Sequence, residues 1–593
     1  MTRRSQTTDA EASVHTRSSI YVGVIIFIFF VVISRLFYWQ VVKGASLQAE
    51  AEDQYKRSLT KQGSRGFILT ADGKPLVTNR QVFRVFAQPY ALVQEPKSVA
   101  TTLTDLLITD LQDYQVASGE ADRALVKEQL KSSLLEKLAN KESKWVSLAL
   151  NVSEETKRKI SELKITAIGF DPYEVRAYPE ASMAAQLTGF VGKNENGLDT
   201  GYFGVEGGLD QELKGRELKT TILTDALGQQ LTAEQRNQAS NLNGRDVSLT
   251  IRRDIQSIAE RQLQKGMLKY GAQSGEVIIM EPKSGKIMAM ASAPSFDQAR
   301  FFSYDAELYR NPSLSNLYEP GSTFKVLTVA AGIDAGLISA DTQCDKCSGP
   351  RTFGKYTIKT WNEAYNPNIT MTDALAKSDN IAMIFIAEKL GAERLKKYLQ
   401  NFGIGEAIHI DLQGDIETPF PKQWGPVELA TISFGQGISV TSLQLVRAIG
   451  AIANDGRMMR PLIVEGVKDR STGEFRASEV REERQVVSKE TSDTLTTMMI
   501  ASAHHGEAQW TASHTHQIAG KTGTSQIPAG GRYLEDQTIA SFVGFAPPQD
   551  PQFVMLVKFV GPTSSIWAAE TAAPLWYSIA SELYLALGIP PDR

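Results

Sequence analysis

The sequence predicts an α+β fold: two soluble parts, the second an antiparallel sheet packed with helices, behind one N-terminal transmembrane helix. Three observations carry that expectation. At 593 residues the chain exceeds what one compact core organises. Residues 20–42, "IYVGVIIFIFFVVISRLFYWQVV", form an apolar run unlike anything after it. Downstream of a run of loop formers, "NQASNLNGRD" (Asn237 to Asp246), a β-hairpin, a block of helices, further strands and a last helix follow in order.

The apolar run comes first. At about 1.5 Å per residue it reaches roughly 34 Å, enough for a hydrocarbon core of about 30 Å. Its uncharged part, Ile20 to Ser34, has the length of a signal-peptide core. Apolar character resumes after Arg35, however, with Leu36, Phe37, Tyr38, Trp39, Val41 and Val42, so an uncleaved anchor is expected. Phe37, Tyr38 and Trp39 suit the membrane interface. Arg35 lies close enough to the Val42 end to reach outward or to meet a partner helix. Arg3, Arg4 and Arg17 precede the run and Lys43, Lys56, Arg57 and Lys61 follow it, so basic residues do not fix orientation. A short cytoplasmic tail, with the long remainder outside, is the default for a single span.

Between Lys43 and about Gly244, strand-like runs such as "FRVFAQPY" flank a polar helical stretch over roughly Lys97 to Asn140, with apolar spacing near 3.6. Beyond the boundary, "VSLTI" predicts a strand and "RDIQSIAERQLQKGMLKYG" an amphipathic helix. "GEVIIMEPKSGKIMAMASAP" predicts two strands around a Pro-Lys-Ser-Gly turn. Helices are expected over Ser322 to Ala335, Thr372 to Leu390 and Ser442 to Asn454. The strands "THQIAGKTGTSQ", "IASFVGFAPP" and "QFVMLVKFV" then lead to a closing helix over Ala573 to Leu587. The expected divisions are a cytoplasmic tail (1–19), a transmembrane anchor (20–42), an N-terminal domain (43–244) and a C-terminal domain (245–593).

Totals exclude some classes. A net charge of -4 and no basic stripe argue against nucleic acid as a partner. Two cysteines cannot make a disulfide-stapled scaffold. "AGKTGT" resembles the end of a phosphate loop, but that motif needs glycine where Thr515 stands. No cofactor site is expected.

The chemistry is concentrated in "LYEPGSTFKVLTVAAGID", where Ser322 precedes Lys325 by three residues on an apolar helix. That spacing puts both on one face. A serine hydroxyl attacks only when a base takes its proton, and a lysine is a base only when neutral. Bringing a lysine from about 10.4 to near 7 requires about 4–5 kcal/mol of differential environment. Apolar burial and a second cation both act in that direction, and Lys521 is the candidate second cation. Alone, Ser-x-x-Lys is a weak signal, and a helix cap followed by a surface lysine is the commoner reading. Two more motifs alter the reading: Ser378-Asp379-Asn380 at the start of an apolar helix, and Lys521-Thr522-Gly523-Thr524 on a strand. The three occur in order, 56 residues apart (378 minus 322) and 143 apart (521 minus 378).

Ser-x-x-Lys, Ser-Asp-Asn and Lys-Thr-Gly together mark penicillin-binding proteins and class A β-lactamases, and the chain resembles a class B penicillin-binding protein. "SRGFILTADGKPLV" (Ser64 to Val77) resembles that family's opening motif, with Thr70-Ala71 where Asp-Arg is usual. "RAYPEASMAAQLTGFVG" (Arg176 to Gly192) and "GYFGVEGGLDQELKGREL" (Gly201 to Leu218, with Glu206) are similar to its pedestal motifs. "ATISFGQGISVTSLQLVRAIGAIANDG" (Ala430 to Gly456) resembles a stretch of division-type members. The resemblance spans roughly residues 50 to 587. It implies a penicillin-binding transpeptidase domain on a β-rich pedestal of dimerisation type. No glycosyltransferase domain is seen before it, nor PASTA-like repeats after it.

By that resemblance the protein is a peptidoglycan D,D-transpeptidase that cross-links stem peptides and binds penicillin. Septal synthesis is the favoured role. Ser322 would attack the D-Ala-D-Ala carbonyl and Lys325 would be its base. Ser378 would pass a proton to the leaving amine, and Asn380 would hold a substrate amide. Lys521 and the hydroxyls of Thr522 and Thr524 would bind the terminal carboxylate, with Gly523 admitting substrate to the strand edge. Backbone N–H groups of Ser322 and Thr524 would form the oxyanion hole. β-Lactams would be inhibitors. A SEDS-type membrane glycosyltransferase and division proteins would be partners, with the helix containing Arg35 as a contact. An elongation-type transpeptidase, a DD-carboxypeptidase and a non-catalytic division scaffold are the alternatives.

Cys344 and Cys347 lie between the first two motifs. Outside the cytoplasm a disulfide is expected, with zinc binding and reduced thiols as alternatives. His504, His505, His514 and His516 cluster before Lys521; a solvated loop is expected there rather than a metal site.

Overall fold

A computed structural model of the chain describes residues 6–48, 56–111, 119–223, 242–511, 513, 515–530 and 532–592. Arg3, Arg4, His514 and residues 237–241 of the loop-former run lie outside them. Two compact units result, residues 1–63 with 216–243, and residues 64–215 with 244–593.

In the first unit, helix α1 (Gln6–Phe37) continues through a wider turn over Tyr38–Val42. From Arg17 to Val42 it is long and apolar enough to cross a membrane. Phe27, Phe30 and their apolar neighbours are exposed along it, which is not the environment of a soluble core helix. Strand β1 (Lys56–Gln62) pairs antiparallel with β2 (Glu217–Leu223), Lys56 opposite Leu223 and Gln62 opposite Glu217.

The second unit begins with a mixed N-terminal region. Its long strand, Pro75–Ala87, pairs with Val146–Val152 and Ile168–Ala177. The expected helical stretch appears as two helices, Pro96–Leu107 and Glu120–Ala139. Leu103, Leu107, Leu134 and Leu138 pack with Val85 and Leu148, so helices contribute to this core alongside strands. Ile68–Leu69 runs parallel to Asp246–Leu249, which pairs in turn with Val464–Lys468, so one seven-stranded sheet continues across residue 244.

Helix α2 (Arg253–Tyr270) leads into the second sheet, built from β3 (Ser274–Met280) and β4 (Ile287–Ala293) and closed later in the chain. Helices α3 (Lys325–Asp334), α4 (Met371–Ala376), α5 (Asn380–Leu390), α6 (Ser442–Ile452) and α7 (Lys489–His505) follow. Strands β5 (Ala519–Ala529), β6 (Arg532–Ala546) and β7 (Phe553–Val560) and helix α8 (Ala572–Leu587) complete it. The antiparallel order is β4-β3-β7-β6-β5, which makes β5 an edge strand.

Because side chains alternate along a strand, β3 feeds two cores. Val277 and Ile279 pack with Ile255 of α2 and Trp576 of α8, while Ile278 and Met280 join Val326 of α3 and Leu445 of α6. On the second face Glu276 and Lys558, directly opposite in register, form a buried ion pair at 2.6 Å. Ser442 Oγ accepts from Lys558 Nζ at 2.9 Å, and Ser313 Oγ donates to Glu276 at 3.1 Å.

Two helices differ from expectation. Ser322 caps nothing: it lies in a 3-10 turn, Gly321–Phe324, and the α-helix begins only at Lys325. The continuous helix expected over Thr372 to Leu390 is broken, because Ser378 adopts a left-handed backbone (φ 57°). Asp379 restarts it, its Oδ1 accepting from the N–H groups of Ile381 (2.8 Å) and Ala382 (3.0 Å).

Candidate active site

The apolar residues after Lys325 draw α3 into the core, and Lys325 goes with them: it is fully buried. Its Nζ donates to the Ser378 carbonyl oxygen at 2.5 Å and to Ser378 Oγ at 3.2 Å. The left-handed bend at Ser378 turns both acceptors toward one amine, so two of the three motifs meet directly. Burial, reinforced by the Lys521 ammonium, pushes the Lys325 amine from an ordinary 10.5 down to about 7, with Glu507 and Asp379 opposing.

The turn carrying Ser322 is held from two sides. On one, Tyr318 and Val440 exchange both backbone hydrogen bonds (3.0 and 2.9 Å) and Gly321 N–H donates to Gly435 O at 3.0 Å. Gly435 has φ 81°, and a Cβ there would lie 2.2 Å from Gly321 O, so the approach requires glycine. On the other side stands β5. A Cβ on Gly523 would meet Thr323 Cγ2 at 2.7 Å and Pro320 O at 3.0 Å. On its Cβ side, Gly523 is thus packed against the turn that carries Ser322.

Lys521 is also buried, and burial lowers its pKa with Glu507 opposing. Its Nζ donates to Thr522 Oγ1 at 3.0 Å, and Thr522 Oγ1 donates to Glu507 Oε2 at 2.7 Å. The single Thr522 proton is directed at Glu507. Thr524 Oγ1 accepts the Ala568 N–H at 3.1 Å and keeps its proton for donation. Asn380 opens α5 half-buried, its Nδ2 donating to Lys359 O at 3.0 Å. Beside it a cavity of about 300 Å³ is lined by Trp361, Lys377, Asp379, His505 and Glu507, among others. Trp361 meets Trp567 edge-on at 5.2 Å.

Cys344 and Cys347 are joined in a buried disulfide. His504 and His505 end α7 instead of sitting in a loop, and His516 stacks on Tyr584 at 3.8 Å. Among the described residues no three His, Cys, Asp or Glu side chains group as metal ligands. Sequence reasoning did not find Glu507: a lone glutamate in a polar loop has no pattern, and the one available signal was its position just ahead of the Lys-Thr-Gly strand.

Further from the site, Glu206 is fully buried between Arg65 Nη2 (2.5 Å) and Arg176 Nε (2.7 Å). Asn79 joins the two arginines, accepting from Arg176 Nη1 and donating to Arg65 O, both at 2.6 Å. Thr70, in the departing position of the opening motif, closes its own turn: its N–H donates to Lys74 O at 2.8 Å and its Oγ1 accepts the Lys74 N–H at 3.1 Å.

Comparison with known proteins gives independent information. A family model for the penicillin-binding protein transpeptidase domain matches residues 275–581, and one for the penicillin-binding protein dimerisation domain matches residues 60–249. The chain is 31% identical over 576 residues to stage V sporulation protein D of Bacillus subtilis, covering 96% of this chain and 85% of that protein. It is 29% identical over 621 residues to penicillin-binding protein PbpB of Mycolicibacterium smegmatis, covering 100% and 94%. Among solved structures it resembles penicillin-binding protein 2X of Streptococcus thermophilus (TM-score 0.71, 22% identity, 90% of this chain and 80% of that one). It also resembles penicillin-binding protein 3 of Mycobacterium tuberculosis complexed with aztreonam (TM-score 0.67, 23% identity, 90% and 98%).

Proposed function

Because this chain belongs to the class B penicillin-binding proteins, a family of peptidoglycan D,D-transpeptidases, we propose that it cross-links stem peptides through an acyl-enzyme on Ser322. The observation that carries this reading is the buried Lys325 amine, 3.2 Å from Ser378 Oγ and brought to about 7. A lysine in that state accepts a proton at neutral pH, which the serine mechanism requires.

Ser322 Oγ attacks the carbonyl of the penultimate D-alanine as Lys325 takes its proton. The C–N bond then breaks, and the proton passes through Ser378 to the departing D-alanine amine. The amine of a second stem peptide attacks the resulting ester, forming the cross-link and returning a proton to Ser322. Lys521 and Thr524 hold the terminal carboxylate of the donor, and Asn380 holds a donor amide. Thr522 acts through Lys521, since its own proton is engaged by Glu507. Backbone N–H groups of Ser322 and Thr524 receive the developing oxyanion.

β-Lactams acylate the same serine; the M. tuberculosis relatives carry aztreonam and ampicillin in their complexes, which supports this. Residues 20–42 anchor the chain, 43–244 form the pedestal and 245–593 the catalytic domain, outside the cytoplasm. The Cys344–Cys347 disulfide supports that side of the membrane. The role is septal, with a SEDS-type glycosyltransferase contacting α1 near Arg35, on the strength of the Ala430 to Gly456 stretch.

The test is labelling of the detergent-solubilised chain by a fluorescent penicillin. Ser322→Ala abolishes labelling, and persistent labelling of that variant discards the assignment. Formation of cross-linked stem-peptide dimers, as opposed to trimmed monomers, separates transpeptidase from carboxypeptidase. A fluorescent fusion concentrated at division sites supports the septal role; an even lateral distribution refutes it.

A further inference from the structure

Glu507 belongs to none of the three motifs, yet it touches one and acts electrostatically on two. It follows α7 by two residues, and its carboxylate closes the relay Lys521 Nζ to Thr522 Oγ1 (3.0 Å) to Glu507 Oε2 (2.7 Å). A threonine hydroxyl has one proton. With that proton directed at Glu507, the Thr522 oxygen faces the Lys521 ammonium with its lone pairs. Lys325 and Lys521 are both buried, so the site holds two amines with little water to screen them. Asp379 is the other nearby carboxylate, but one of its oxygens already caps α5 through two N–H groups.

We propose that Glu507 is a positioning residue of the acyl-transfer site: it fixes the Thr522 hydroxyl so that Lys521 is held for the donor carboxylate, and its charge offsets the two buried lysines. This rests on the reading of Ser322 and Lys325 as nucleophile and base. The sign of its effect follows from the charges. Glu507 stabilises the protonated form of Lys325, so removing it lets Lys325 become neutral at lower pH. Lys521 from β5, Asp379 and Lys377 from the α4–α5 turn, and His505 from α7 are the other titratable groups around Glu507.

The experiment measures second-order acylation by a fluorescent penicillin between about pH 5.5 and 9 in the full-length, detergent-solubilised protein. Glu507→Gln keeps an acceptor for Thr522 and loses the charge; its acidic limb moves about one pH unit lower. Glu507→Asp moves the limb back toward the parent, and His505→Gln leaves it in place. Should Glu507→Gln melt early, Glu507→Ser carries the same expectation. An unmoved limb in a Glu507→Gln protein of parental melting temperature overturns the proposal, as does an equal shift in His505→Gln. If instead Ser322→Ala still labels, the underlying serine reading has failed, whatever Glu507 does.

Discussion

Replacing Lys325 by methionine should abolish acylation and, at acid pH, stabilise the protein. The side chain is fully buried, with its pKa brought from 10.5 to about 7. The folded state therefore releases a proton that the unfolded chain keeps between those two values, and stability falls as pH drops from the upper to the lower. At about pH 6, below both, the penalty is complete: roughly 3.5 pKa units, or close to 5 kcal/mol at about 1.36 kcal/mol per unit. At pH 9.5 only a small part of it remains, on the order of 1 kcal/mol. Methionine is nearly isosteric and avoids this penalty, but it gives up the hydrogen bonds to Ser378 O and Oγ, worth about 1 kcal/mol each. The variant should thus exceed its parent by roughly 3 kcal/mol at pH 6 and show no advantage at pH 9.5. Melting midpoints of the two proteins across that range, followed by tryptophan fluorescence, measure the gap. A gap of equal size at both ends would mean that Lys325 is not held with a depressed pKa, and the base assignment would go with it.

Two further outcomes follow from packing. Glu206→Gln leaves Arg176 buried without a carboxylate and Arg65 with Asp210 alone, and should destabilise the chain by about 3 kcal/mol, read from the melting midpoint at neutral pH; a loss under about 1 kcal/mol contradicts the burial argument. Gly523→Ala drives a methyl into Thr323 and the Pro320 carbonyl, displacing the turn that carries Ser322. Acylation should drop by about a hundredfold for a shift near 1 Å, with the fold retained on circular dichroism, and parental kinetics would refute it.

Much of this site was readable because the motifs are local. Ser322 and Lys325 lie three residues apart and Lys521 to Thr524 share one strand, so the three motifs taken in order mark them. The hairpin Ser274 to Ala293 was legible for the same reason, its turn residues lying between two apolar runs. The break at Ser378 was not, because the one polar turn in "ALAKSDNIAMIF", Lys377 to Asn380, fits an exposed helix face as well as a break, and a left-handed serine leaves no trace in periodicity. Asp379, a favoured cap, was the one available hint. Contacts between distant residues were also silent. Lys56–Gln62 meets Glu217–Leu223 across more than half of the N-terminal region, and Arg65 meets Glu206, with no local pattern announcing either partner. Thr522 was expected to bind substrate as the resemblance implied; that its hydroxyl serves Glu507 depended on a loop no motif includes.

The Glu276–Lys558 pair bears on the geometry of the site although neither residue belongs to a motif. A slip of one position between β3 and β7 would swing one charge to the opposite face, among Trp576 and its aromatic and aliphatic neighbours, and strand it there without a counter-ion. β7 in turn indexes β6, and β6 indexes β5, so the alignment fixed in the middle of the sheet is handed outward two strands to Lys521. The precision with which the edge strand meets Ser322 is thus anchored at the sheet's centre, by a buried pair of opposite charges.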